Sequence, residues 1–242
     1  MEYQITSQNS DGDTELYDVK EFYRMRYLDT RIYLLDFQRS ANQVFDGKLP
    51  VYSDDGIILG VRDKNVEYMM NDSATVLAFV QEGDLWSYSP GNGKVNQVFS
   101  FRKTEDGDFR DSRIQHDIKI VRVTDAGDID FVLYGYMNRG SHEGYEGIGV
   151  YHYNPDKNVA EERAFIPVSE SFEFLKKDLE KLSYVNEENE LFLLLAKSLY
   201  KINIEDNSSE VLEEGIKNAN FVSSDNSIEA RFPCPNPTFL SS

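Results

Sequence analysis

The chain has 242 residues and a net charge of −18, from 25 Lys and Arg against 43 Asp and Glu; 40% of it is hydrophobic and 13% aromatic. Acidity of this size, without a basic stripe, argues against nucleic acid and anionic lipid as partners, and no run reaches the ~20 apolar residues of a membrane-spanning helix. The single cysteine, Cys234, excludes an internal disulfide framework and a Cys-rich zinc site.

Residues 1–19 show no clear period and are expected to be irregular, and Met1–Thr6 lacks the basic and apolar regions of a leader peptide. A partial strand unit follows over 22–45, centred on Ile32-Tyr33-Leu34-Leu35-Asp36, and residues 46–63 add a Gly-punctuated, hairpin-like stretch. The period is clearest in Thr75–Val80, Asp84–Tyr88 and Lys94–Phe99. These read as three antiparallel strands joined by tight turns, with Gly83 and Gly93 supplying backbone angles that other residues resist.

A charged connection spans 102–117. Two strands are expected at Ile118–Val123 and Ile129–Tyr134, around the turn Thr124-Asp125-Ala126-Gly127. Residues 138–147 form an insertion whose glycines, with Gly135 and Gly149, read as flexibility, and Val150-Tyr151-His152-Tyr153-Asn154 resumes the strand pattern. Apolar residues at 172, 175, 179 and 182 share one face of a helix, with Ser169 or Ser171 as its cap. Strands then recur at Leu182–Val185, Leu191–Leu195, Leu199–Asn203, Ala219–Val222 and Ile228–Phe232. Pro233, Pro235 and Pro237 cannot donate to a ladder, so 233–242 is expected to be an irregular tail.

These strands repeat. An apolar–aromatic–variable–apolar string with a polar turn starter recurs with its aromatic at Tyr33, Trp86, Tyr151 and Tyr200, at intervals of 53, 65 and 49 residues. A polar turn precedes it at Asn71–Ala74, Thr124–Gly127 and Asn186–Asn189, and another stands at Ser224–Ser227. Three complete units are expected at 66–101, 119–168 and 181–216.

Four strands per unit of about 50 residues is the signature of a propeller blade. The order of strand, Ser-Asp-x-Gly-like turn, strand, short turn, Leu-Trp/Tyr strand, turn and strand resembles the blades of TolB-like and WD40-like β-propellers over roughly residues 20–230. The Gly-His and Trp-Asp pairs of true WD40 repeats are absent. The resemblance implies an all-β, propeller-like fold of four-stranded antiparallel blades over 1–242 as a single domain. About four to five blades or part-blades make an incomplete or truncated ring whose open edges invite pairing with another copy. It also implies a bacterial envelope or extracellular setting rather than the cytoplasm.

Catalytic machinery is thin. His116 lies in a charged connection and His152 on a strand, and both read as structural or surface residues. Gly144-x-x-Gly147-x-Gly149 is not the dinucleotide fingerprint, and Gly140-Ser141-His142-Glu143-Gly144 is not a nucleophile elbow. The acidic triplets, including Asp106, Asp108 and Asp111, lack the twelve-residue calcium pattern and read as turns. No enzyme, cofactor or metal is therefore expected. In a propeller, the insertion 138–147, the connection 102–117 and the helix would all open on one face. The candidate recognition residues there are Phe109, Arg110, His142, Glu143, Tyr145 and Glu146, for a protein or peptide partner. The expected function is an interaction or ligand-sensing module without catalysis of its own. Its rival is the accessory or gating propeller of a peptidase or glycan-active enzyme, whose catalytic part lies outside this chain.

Overall fold

A computed structural model describes residues 1–8, 12–28, 31–47, 52–53, 56–57, 66–91, 93–102, 108–112, 115–216, 220–224 and 227–231. The chain is all-β. Sheet I holds β1 (Glu2–Gln8), β2 (Thr14–Leu28) and β3 (Arg31–Gln43), and a short hairpin pairs β4 (Tyr52–Ser53) with β5 (Gly56–Ile57). Sheet II holds β6 (Tyr68–Met70), β7 (Leu77–Gln81), β8 (Asp84–Ser89) and β9 (Lys94–Phe99). Sheet III holds β10 (His116–Val123), β11 (Ile129–Tyr136), β12 (Glu146–Asn154) and β13 (Val159–Pro167). Sheet IV holds β14 (Ser183–Val185), β15 (Glu190–Leu195), β16 (Ser198–Asn203) and β17 (Ser209–Glu213). A last hairpin pairs β18 (Asn220–Ser224) with β19 (Ser227–Arg231), and the one α-helix among the described residues, α1 (Phe172–Lys181), links sheets III and IV. Sheets II, III and IV coincide with the three repeat units. Each is an up-and-down antiparallel meander in chain order.

Alternation along β11 shows how the sheets stack. Ile129, Phe131 and Leu133 pack against Ala78, Val80 and Leu85 of sheet II, whereas Val132 and Tyr134 pack against Leu191, Leu193 and Leu195 of sheet IV and Leu175 and Leu179 of α1. Side chains on successive strand residues point to opposite faces, so a strand apolar on both must be covered on both. The first strand of sheet III touches the first strands of sheets II and IV. The result is an open, propeller-like stack in which no sheet closes on itself.

The repeated aromatic has one structural role in three of its four copies. Trp86, Tyr151 and Tyr200 all lie on the third strand of their sheets, and in each the register shifts at the preceding residue pair, Leu85/Trp86, Val150/Tyr151 and Leu199/Tyr200. Such a bulge turns the next side chain and increases local twist. Two rings face the preceding sheet, Tyr151 stacking on Phe131 at 5.3 Å within the cluster shared with sheet II and Tyr200 packing into the cluster shared with sheet III, while Trp86 meets Phe45, two residues beyond β3, at 5.0 Å. Tyr33 departs from this pattern. It too sits on a third strand, but on a hairpin that leaves the stack, and is 47% exposed.

The polar turns are also equivalent. Asn71 Oδ1 accepts from the amides of Thr75 and Val76, Thr124 Oγ1 from the amide of Asp128, and Asn186 Oδ1 from the amide of Glu190. Each closes the first hairpin of its sheet by side-chain mimicry of a backbone acceptor.

Three expectations are corrected. Residues 1–19 are not irregular: β1 runs antiparallel to β2 from Glu2↔Lys20 to Gln8↔Thr14. The helix forms as expected and buries Leu175 and Leu179, but the Ser171 side chain makes no capping bond. The glycines of the third unit are not all flexible hinges. A Cβ on Gly135 would lie 2.5 Å from the Gln115 carbonyl, on Gly147 2.6 Å from the Phe165 ring, and on Gly149 2.6 Å from the Tyr151 ring. The expected tail, 233–242, lies outside the described residues.

Candidate functional site

The insertion and the 102–117 connection do meet at one end of the stack, as the strand order requires. The 3₁₀ turn Phe109–Ser112 is held to the insertion by Arg110 Nη1 donating to Glu143 Oε1 at 2.6 Å and by Asn138 Nδ2 donating to the Arg110 carbonyl at 3.1 Å. Arg139 donates to Asp108, Asp111 and the Phe101 carbonyl. Hydrogen bonds from Arg110 and Arg139 hold the Asp108 carboxyl well below the usual range, with those from Arg110 the larger cause. Asp108 and Asp111 thus converge on guanidinium groups. Asp106 lies outside the described residues.

The six predicted recognition residues separate into two kinds. Arg110 and Glu143 bind each other, and His142 stacks on Phe165 at 3.8 Å with Nε2 2.8 Å from Glu162 Oε1. The Glu146 carbonyl accepts from the Val168 amide. The His142 and Glu146 contacts brace the insertion against β13 and the residue that follows it, and the Arg110–Glu143 pair ties it to the 3₁₀ turn. Phe109 and Tyr145, at 71% and 62% exposure, present apolar rings outward.

Beside them, nearer the first strands, opens a cleft of about 680 Å³ that the sequence analysis did not anticipate. Its walls come from β2 (Lys20), the start of sheet II (Val66, Glu67), the β7–β8 turn (Glu82, Gly83), β10 (His116 to Lys119), Tyr134 and α1 (Phe172, Lys176, Leu179, Glu180). The β7–β8 turn is tight because Glu82 (φ 47) and Gly83 (φ 79) both take left-handed angles, the geometry that joins two strands across two residues. Glu82 is non-glycine in that region, a strained conformation of the sort that clusters at functional sites. Burial first, and the neighbouring Asp18 second, push its carboxyl pKa up.

Charges of both signs line the cleft in pairs. Lys119 Nζ lies 2.8 Å from Glu67 Oε1, and Asp117 Oδ2 accepts from Tyr134 Oη at 3.2 Å and faces Lys176 Nζ at 3.6 Å. Burial, reinforced by Asp117, pushes the Tyr134 phenol far up, so it stays a proton donor. The apolar part of the lining is Val80, Ile118, Leu179 and Phe172, the last stacked on Tyr134 at 5.4 Å. Ligand sites of this size are commonly apolar with a few placed polar groups.

Behind the turn lies a buried ionic cluster. Arg102 pairs with Asp84 and, at 2.7 Å, with Asp18, and donates to the Glu82 carbonyl at 2.8 Å. Asp18 and Asp84 are each 3% exposed, and burial pushes Asp84 up to about 6 despite its cationic partner. His116, expected at the surface, is instead 6% exposed. Its Nε2 is 3.0 Å from the Gly83 carbonyl, its ring edge-packs Phe101 at 4.8 Å, and burial pushes it down to about 4. His152 is held by Asp130, 2.7 Å from Nδ1. Among the described residues no group of three or more His, Cys, Asp or Glu is arranged to hold a metal ion.

The sequence signal for the cleft was weak because its charged residues come from five separate stretches. Lys119 and Glu67 stand 52 positions apart. The one available clue was the strand order, which sends the β7–β8 turn and the connections between sheets to the same end.

No protein-family model matches the chain, and no curated protein matches it in sequence. Among solved structures it is similar to Porphyromonas gingivalis dipeptidyl peptidase 4, at 8% identity and a TM-score of 0.41, over 89% of this chain and 33% of that one. It is also similar to a Mycobacterium tuberculosis puromycin-hydrolyzing peptidase, at 9% identity and a TM-score of 0.23, over 86% of this chain and 37% of that one. A third is the extracellular domain of the putative one component system BT4673 from B. thetaiotaomicron, at 12% identity and a TM-score of 0.19, over 88% of this chain and 29% of that one. The chain thus spans about a third of the length of the solved chains it resembles, and its architecture rests on its own strand pairing.

Proposed function

We propose that the chain is a recognition module that holds a short peptide segment of a partner protein in the cleft between the first strands of sheets II and III and helix α1, with Phe109 and Tyr145 extending the contact on the same end. The observation that carries this reading is the pairing of opposite charges over an apolar lining: Lys119 with Glu67, and Lys176 with Asp117, beside Ile118, Leu179 and Phe172. A peptide offers the complement, with main-chain donors and acceptors at fixed spacing and apolar side chains between them. An all-anionic ligand would meet Glu67, Glu82, Asp117 and Glu180, and an all-cationic one Lys20, Lys119 and Lys176.

The reading is of binding rather than turnover. The carboxylates Glu67 and Asp117 are tied to lysines, and His116 spends Nε2 on a backbone carbonyl. Screening a displayed library of random eight-residue peptides against the protein, followed by calorimetry of the selected sequences, tests it. Lys119→Ala and Lys176→Ala are each expected to weaken binding at least tenfold, and Phe109→Ala with Tyr145→Ala by a smaller factor. Selected peptides whose affinity survives both lysine changes would place the site elsewhere, and hydrolysis of those peptides would make the module an enzyme.

A further inference from the structure

Beyond Lys20 and Ser40, strands β2 and β3 leave sheet I as a two-stranded arm, since β1 pairs with β2 only as far as Glu2↔Lys20. At ~3.3 Å per residue the arm extends on the order of 25 Å from the stack. Cross-strand partners share a face, so the register Tyr23↔Phe37, Met25↔Leu34 and Tyr27↔Ile32 puts six large apolar side chains on one side. All are exposed: Tyr23 40%, Met25 60%, Tyr27 69%, Ile32 68%, Leu34 58% and Phe37 46%. The other side is mixed, with Arg24, Arg26, Arg31, Asp36 and Gln38 set among Phe22, Leu28 and Tyr33. One face of the arm is therefore wholly apolar while the other carries the arm's charges, and none of the described residues covers the apolar one.

We infer that this apolar face is a dimerisation surface, and that its occupant is the same face of a second copy of the chain. Three observations point there. Six side chains at these exposures present on the order of 600–700 Å² of surface, above the largest patch of most monomers and near the ~800 Å² per partner of a stable interface. A single apolar face can meet its own copy about a twofold axis, the commonest symmetry of soluble oligomers. And over residues 20–40 five basic residues stand against three acidic ones, in a chain whose net charge is −18. Two copies can thus approach through their arms, where the repulsion between acidic bodies is least. Arg24, Arg26 and Arg31, all exposed, give the opposite face a charge that the apolar face lacks.

The test is sedimentation velocity from 1 to 200 μM on the full chain, with Tyr27→Ser combined with Leu34→Ser on the apolar face and Tyr33→Ser on the other. These side chains are exposed, so circular dichroism should report an unchanged fold for each. The expected result is twice the 27.9 kDa chain mass for wild type and for Tyr33→Ser, and at least a tenfold rise in dissociation constant for the double variant. A monomer throughout the range, or a dimer indifferent to the double change, overturns the inference. Co-sedimentation of a monomeric wild type with phosphatidylcholine vesicles, lost in the double variant, would overturn it in favour of a lipid surface.

Discussion

His116 Nε2 donates to the Gly83 carbonyl across 3.0 Å, tying the first strand of sheet III to the tight turn of sheet II at the base of the cleft. Buried with it are Asp84, Asp18 and the Arg102 guanidinium that both carboxylates share. The two titrating groups pull stability in opposite directions.

His116 is held near 4 against 6.5 for a free imidazole, so its contribution is complete above pH 6.5 and is lost as pH falls toward 4. Asp84 is raised to about 6 from 3.8, so its folded form takes up a proton first, and stability falls as pH rises from about 4 to 6. Each contribution is about 3 kcal/mol. Between about pH 4 and 6 the two slopes oppose each other, so the wild-type profile should be shallower than that of either single variant. Urea denaturation of Asp84→Asn should expose a steep loss toward acid, and His116→Gln the reverse slope. Parallel pH profiles for all three proteins would show that these groups are not the ones titrating.

Gly135 sets the distance between β11 and the start of α1. Its φ is +112°, and a Cβ there would meet the Gln115 carbonyl at 2.5 Å and Phe172 at 3.3 Å. Gly135→Ala is expected to cost at least ~2 kcal/mol through backbone strain and overpacking. Because Phe172 and Lys176 line the cleft, hydrogen exchange in α1 should rise and peptide affinity fall together.

Asn71 closes the first hairpin of sheet II through two backbone amides, and its Nδ2 donates to Asp125 Oδ1 in the matching turn of sheet III at 2.8 Å. Asn71→Ala should destabilise by about 1–2 kcal/mol in chemical denaturation, since two turn amides lose their acceptor. Asn186→Ala, whose Oδ1 caps a single amide, should cost roughly half of that.

Phe131 stacks on Tyr151 at 5.3 Å and meets Phe99 at 5.7 Å, joining sheets II and III. Its truncation to alanine is expected to cost about 3–5 kcal/mol. Ser171→Ala is the contrasting case. The side chain makes no cap bond, so thermal unfolding should shift by no more than corresponds to ~0.5 kcal/mol.

Much of the architecture was legible in the primary structure because period-two alternation, turn chemistry and the repeated aromatic all report local geometry. Trp86, Tyr151 and Tyr200 marked third strands, Asn71, Thr124 and Asn186 marked hairpin turns, and the spacing of Phe172, Leu175 and Leu179 marked the helix. Tyr33 matched the string but not the environment, since a local pattern cannot report whether a neighbouring sheet stands over it. His116 failed for the same reason. A histidine among charged residues looks exposed until the turn of another sheet folds over it.

The order of residues alone therefore determined that the chain is all-β, where its three four-stranded units lie and which end gathers their connections, because these follow from interactions within a few tens of residues. Only the tertiary structure decided what faces what. The cleft brings together Lys20 of β2, Glu67 before β6, Asp117 and Lys119 of β10 and Lys176 of α1, the buried cluster joins Asp18 to Arg102 across 84 positions, and none of the described residues covers the apolar side of the β2–β3 arm. Burial and charge pairing at such distances depend on how sheets stack, and alternation along one strand carries no record of its neighbour across the interface.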